Sequence, residues 1–146
     1  MSYDARKTAL DTMQPAAWAV DDWMRQHCSS IGLLRLPIHT VCVDTGLEPE
    51  SVVEALFELS AGSVIAWDQE DLTVYMCGWA TDRASPNSFI QIVWRAEATK
   101  WPDTGPRAQL ERELEELKQG GRRRLQLVSS GGESVSGPER IAGVRS

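Results

Sequence analysis

Cysteine, histidine and aromatic residues other than tryptophan are all scarce in this sequence, and each scarcity narrows what the chain encodes. Cys28, Cys42 and Cys77 are odd in number and widely spaced, which argues against a disulfide framework and for reduced thiols in a cytoplasm. His39 and Cys42 stand three apart, with His27 and Cys28 upstream, but this spacing matches no paired-ligand pattern, so no metal is expected. His27 reads as a satisfied, partly buried residue or a helix C-terminal charge. No apolar run approaches the roughly 20 residues of a membrane span. The polar, charged N-terminus shows no secretory signal. Phosphate-cradling glycine loops, internal repeats and carboxylate pairs set for acid and base roles are all missing, so neither a catalytic residue nor a cofactor is expected.

What is present fits one modest domain with tails in 146 residues. Six tryptophans stand against two phenylalanines and two tyrosines. All six fall in or beside predicted elements, and core packing is their simplest role.

The stretch from Ile31 to Met76 holds every strand candidate and the sharpest turn signals. Leu33 to Leu36 suits a short strand, and Pro37 then opens a helix carrying Ile38, Val41, Cys42 and Thr45 at helical spacing. Gly46 ends it where a left-handed residue is wanted. Pro49 opens a second helix with a broad apolar face of Val52, Val53, Leu56, Phe57 and Leu59, ending at Ala61-Gly62. Val64 to Trp67 and Leu72 to Met76 flank Asp68-Gln69-Glu70-Asp71, which predicts a hairpin with a four-residue loop. Upstream, a helix is possible from Asp4, and Pro15 opens one that runs to about Cys28. The order is that of a winged helix-turn-helix, with the Pro49 helix as recognition helix and the hairpin as wing. Leu33, Ile38, Val41, Leu47, Val52, Leu56, Leu59, Ile65 and Val74 are expected in one core.

Downstream, Thr81 to Ser85 reads as a loop, and Pro86 begins a helix carrying Phe89, Ile90, Val93 and Trp94 toward the core. Gly105-Pro106 restarts the chain into an amphipathic helix with Leu110, Leu114 and Leu117, docked on its own domain and stopped by Gly120-Gly121. The remainder, including the linker SSGGESVSG at 129 to 137, reads as disordered. The expected class is therefore α+β, mainly α. It divides into an N-terminal arm (1–14), a winged helix-turn-helix domain (15–80), a helical extension packed on it (81–119) and a disordered Gly/Ser/Arg tail (120–146).

DTGL at 44 to 47, ESVVEAL ending at Leu56 and VIAWDQEDLTVYM at 64 to 76 together resemble the N-terminal winged-helix domain of phage replisome-organiser and replication-initiator proteins. The likeness extends to Gly78-Trp79, Ser85-Pro86-Asn87 and Trp101-Pro102-Asp103-Thr104, covering roughly Ala16 to Leu117. It implies a DNA-binding role in replication initiation or transcriptional regulation, and no catalytic motif.

Charge distribution cuts against simple groove reading. From Ile31 to Ala80 the only basic residue is Arg35, against eight acids, whereas the segment after Gln119 has five arginines against Glu133 and Glu139. The recognition helix would present Glu50, Ser51, Glu54 and Glu58 to DNA, although affinity for DNA comes mainly from cations on phosphates. Two readings follow. In one, Arg122, Arg123 and Arg124, with Arg6 and Lys7, supply the phosphate contacts to DNA. In the other, the acidic helix and wing of an adaptor meet a basic protein partner, such as a replication protein.

Overall fold

The computed structural model describes residues 3–84 and 87–131, with side chains from 4 to 120. The order of elements is α1 (Tyr3–Asp11), α2 (Pro15–His27), β1 (Leu33–Arg35), α3 (Ile38–Thr45), α4 (Pro49–Ala61), β2 (Ile65–Trp67), β3 (Thr73–Met76), α5 (Trp79–Arg83), α6 (Ser88–Ala98) and α7 (Gly105–Gly131). The fold is α+β and mainly helical, around one antiparallel sheet in the order β1-β3-β2. No helix among the described residues is long and apolar enough to cross a membrane.

The sheet is buried on both faces, and this organises everything else. β3 pairs with β1 through Leu33↔Tyr75, Leu34↔Val74 and Arg35↔Thr73, and with β2 through Ile65↔Met76, Ala66↔Tyr75 and Trp67↔Val74. Side chains alternate across a strand, so Leu34, Val74, Ile65 and Met76 join Val20, Trp23 and Met24 of α2, Val41 of α3, and Val52, Leu56 and Leu59 of α4 in one core. Leu33 and Tyr75 point the other way, into a second core with Ala80, Ala98, Leu110 and Leu114, against which Trp94 and Trp101 pack. The expectation of a single core is thereby corrected. Leu33 belongs to the second layer, and Ile38 and Leu47 are only partly buried against the first.

Local chemistry sets the turns. Gly46 has φ 76° and passes its N–H to the Cys42 carbonyl, ending α3 as the sequence predicts. Gly32 (φ 82°) is required twice over, because a Cβ there would sit 2.6 Å from Cγ of Trp79. Trp79 is held against it by Nε1, which donates to the Ser30 carbonyl at 2.9 Å. The hairpin loop includes Leu72, at φ 59°, so β3 begins one residue later than expected. Asp68 and Asp71 stitch that loop, accepting from the N–H groups of Asp71 and Thr73, each at 3.0 Å.

Three expectations for the C-terminal half are corrected. Thr81 to Arg83, predicted as loop, belong to α5, whose Ala84 N–H returns to the Ala80 carbonyl. α6 starts at Ser88, two residues after Pro86, where Asn87 Oδ1 accepts from Phe89 and Ile90 N–H. It turns Gln91 and Ala98 inward rather than Phe89 and Val93. Lastly, α7 does not stop at Gly120-Gly121 but continues to Gly131. Each glycine costs a helix roughly 1 kcal/mol relative to alanine. The helix is already nucleated and docked through Leu110 and Leu114, and good helix formers resume at Arg122. Residues 132–146 of the expected disordered tail lie outside the described residues.

Candidate interaction surface

α4 is anchored by its inward stripe of Val52, Ala55, Leu56 and Leu59. Its outward stripe is Glu50, Val53, Glu54 and Phe57, all exposed. Phe57 is 51% and Val53 37% exposed, although the sequence reading assigns both to the apolar face. The Phe57 ring stands edge-on to Trp67 of β2, with centroids 5.4 Å apart and planes at 86°. Such pairs add about 0.5–1.5 kcal/mol beyond area burial. An apolar centre of Val53, Phe57 and Trp67 thus lies beside two carboxylates one helical turn apart. The signal was in the sequence: five bulky apolar residues between Val52 and Leu59 cover more of a helix than one packing face can bury.

The predicted contact residues divide. Glu50 and Glu54 share this exposed face, whereas Ser51 is half-buried. Glu58 turns aside and accepts from the backbone N–H of Gln14 through both oxygens, at 3.3 and 3.4 Å, fixing the α1–α2 junction to α4. Arg122, Arg123 and Arg124 sit on the helical backbone of α7, and their side chains lie outside the described residues. Asp44 is tied to Trp23, whose Nε1 donates to Oδ2 at 2.8 Å. Hydrogen bonds from Thr73 hold the half-buried Asp71 carboxyl below the usual carboxylate range. Arg6, expected to touch phosphate or water, instead donates to Asp21 at 3.0 Å. His27 stacks on Trp23 at 4.0 Å and places Nδ1 2.7 Å from the Trp23 carbonyl oxygen, as a structurally satisfied histidine does.

One buried polar residue escaped sequence reasoning. Glu113 of α7 is 3% exposed; its Oε1 accepts from the Tyr75 hydroxyl at 2.6 Å and its Oε2 from the Gly78 N–H at 2.8 Å. The Tyr75 oxygen in turn accepts from Ala80 N–H at 3.0 Å. Burial, then the Glu113 charge and the hydrogen bond to it, push the Tyr75 hydroxyl far above its usual range. Burial likewise raises the Cys77 thiol to about 11. This network locks α7 across the sheet behind the hairpin and so fixes the platform that presents Trp67. Comparison with family models, curated proteins and solved structures gives no match.

Proposed function

We propose that the chain is a winged-helix module that binds a basic, partly apolar protein surface through α4 and the β2–β3 hairpin. The observation that carries this reading is the outward face of α4, where Val53 and Phe57, backed by Trp67, lie beside Glu50 and Glu54. An exposed aromatic centre with polar residues at its edge is the anatomy of a protein interface. Between Arg35 and Arg83 there is no lysine or arginine. A groove reader at this position would lack the cations on which DNA affinity mainly rests. Carboxylates at the edge steer a cationic partner and reject an anionic one. The helix order and the β1-β3-β2 sheet support the winged-helix part of the reading.

A second reading is a phage-type DNA-binding protein acting in replication initiation or transcriptional regulation. It draws on the sequence resemblance and on the helical backbone that α7 carries through Arg122, Arg123 and Arg124. Titration of duplex and single-stranded DNA at two salt concentrations, beside a helical peptide with a leucine stripe and lysine flanks, separates the two. If the protein surface is the target, Glu50→Gln with Glu54→Gln weakens peptide binding and leaves DNA binding negligible. If DNA is the target, the same pair strengthens duplex binding, while alanine at the three arginines weakens it and lowers its salt slope by up to about 0.9 for each phosphate no longer neutralised. Duplex binding with that second pattern would overturn the first proposal.

A further inference from the structure

Away from α4 and the hairpin, three arginines from three helices form one connected cluster. Asp21 of α2, its side chain 5% exposed, accepts from Arg6 of α1 at 3.0 Å, and Nε of Arg25, one turn on, lies 3.5 Å from the same carboxylate oxygen. The Arg25 guanidinium carbon is 5.9 Å from the centre of the Trp79 ring, and that of Arg83 lies 3.6 Å from it. Arg6, Arg25 and Arg83 therefore follow one another along a path on which Asp21 is the only buried carboxylate among the described residues. Asp22, the next acid on α2, is exposed and takes the Gln26 amide at 2.8 Å. Asp82 beside Arg83 is exposed and makes no ion pair with it.

The cluster is built rather than incidental. Trp79, its floor, is fixed by the Ser30 carbonyl and by the close approach of Gly32. Arg6 and Arg25 are mostly covered, with side chains 13% and 21% exposed. Their stems and heads are held in place before any ligand arrives. Partly buried like charges repel, and one carboxylate offsets only one of three. Asp21 Oδ1 and Arg25 Nε, both shielded from solvent, have no hydrogen-bond partner among the described residues. Arg83 makes no ion pair among them either. In a chain whose formal net charge is −6, three guanidinium groups are thus gathered around one buried carboxylate.

We propose that Arg25 and Arg83, supported by Arg6 and floored by Trp79, form a binding site for a single phosphate group. Guanidinium forks match the geometry of phosphate oxygens, and their planar faces stack on aromatic rings as Arg83 does here. Arg25 and Arg83 lie 5.9 and 3.6 Å from the centre of one indole, so a single anion is the occupant proposed. The phosphate is either free or carried on a larger molecule, the backbone of DNA included, and the test distinguishes these sources.

The probe is inorganic phosphate, titrated against chloride at matched ionic strength. Thermal unfolding and the Trp79 indole N–H resonance are followed in the full chain. Phosphate is expected to raise the melting temperature above the chloride control and to move the Trp79 resonance. Arg83→Gln, at an exposed residue outside both cores, is expected to bind roughly tenfold more weakly or worse, the equivalent of one lost charge-assisted hydrogen bond. Arg25→Gln is expected to do the same, with the melt in chloride reporting any loss of fold separately. In a second arm, a short duplex at low salt replaces phosphate. Duplex binding that Arg83→Gln abolishes assigns the phosphate to DNA, and its absence assigns it to a free or small-molecule source. Identical response to phosphate and chloride overturns the site. So does phosphate binding that Arg83→Gln leaves intact.

Discussion

Replacing Glu113 by glutamine tests whether α7 is an integral layer of the fold. The carboxylate is buried and receives two short hydrogen bonds, from the Tyr75 hydroxyl at 2.6 Å and the Gly78 N–H at 2.8 Å, with the Gln109 amide further off at 3.4 Å. A glutamine offers one carbonyl oxygen and one NH2, so one of those donors must face another donor whichever way the amide turns. The Gly78 N–H cannot reverse. The Tyr75 hydroxyl could accept instead, but its oxygen already accepts from Ala80 N–H, and its own proton would then have no acceptor. A hydrogen bond to a charged group is worth about 1.5–3 kcal/mol, and a stranded buried donor costs about 1–3 kcal/mol. The two descriptions count the same loss, so Glu113→Gln should cost about 2–3 kcal/mol in urea unfolding.

The control is Glu116→Gln, at an exposed residue of the same helix, which should stay within about 0.5 kcal/mol of the parent. A double-mutant cycle with Tyr75→Phe isolates the hydroxyl contact, and a coupling of about 1.5–3 kcal/mol is expected. A loss under about 0.5 kcal/mol for Glu113→Gln, or no coupling, would mean that the carboxylate is solvated and α7 is not docked on the sheet. The second core would then be refuted.

Leu56→Ala, in the first core at 0% exposure, should cost about 2–5 kcal/mol in the same assay. Tyr75 and Cys77 both have folded-state pKa values raised above the unfolded ones, so their contribution is fully present below the unfolded values and is lost as pH rises through the folded ones. Stability should therefore fall from about pH 9 upward, as the unfolded chain ionises first, and denaturant melts of Cys77→Ala and Tyr75→Phe should each show a shallower fall. Phe57→Ser, at a half-exposed ring, should change stability by no more than about 1 kcal/mol while abolishing binding of the cationic peptide in a titration.

Most elements were legible, because proline and glycine mark their ends, but α5 and the run of α7 past Gly120-Gly121 were not. Pro15, Gly46 and Pro49 stand at or beside the boundaries that their chemistry predicts. The faces were less legible, since a face is defined by what lies opposite. α6 carries Phe89, Ile90, Ile92 and Val93, more apolar surface than one packing side can take. The position of α7 selects Gln91, Trp94 and Ala98, leaving Phe89 and Ile92 69% and 65% exposed. The second core did leave a signature. A half-buried strand alternates, whereas Leu33-Leu34 and Val74-Tyr75-Met76 are apolar without interruption, as strands covered on both sides are. Glu113 left no such signature, because Glu115 adjoins Leu114 as closely in sequence and is exposed.

Charge was the least legible quantity, because counting by segment treats every carboxylate as available. Asp68 and Asp71 are spent on loop N–H groups, Asp44 on Trp23 and Glu58 on Gln14. Glu50 and Glu54 are left on the outward face of α4. Four of the eight carboxylates counted there are thus tied into the fold, while Glu48, Glu50, Glu54 and Glu70 stay exposed, and the apolar part of the surface is larger than the sequence suggests. Arg6, Arg25 and Arg83 are the converse case, far apart in sequence with no spacing to link them, yet gathered by α1, α2 and α5 around one carboxylate and one indole. A partner of the α4 face should accordingly be held by apolar contact at Phe57 and only oriented by charge. Any anion should be sought at the arginines around Trp79, because folding, more than composition, decides where charge is left to act.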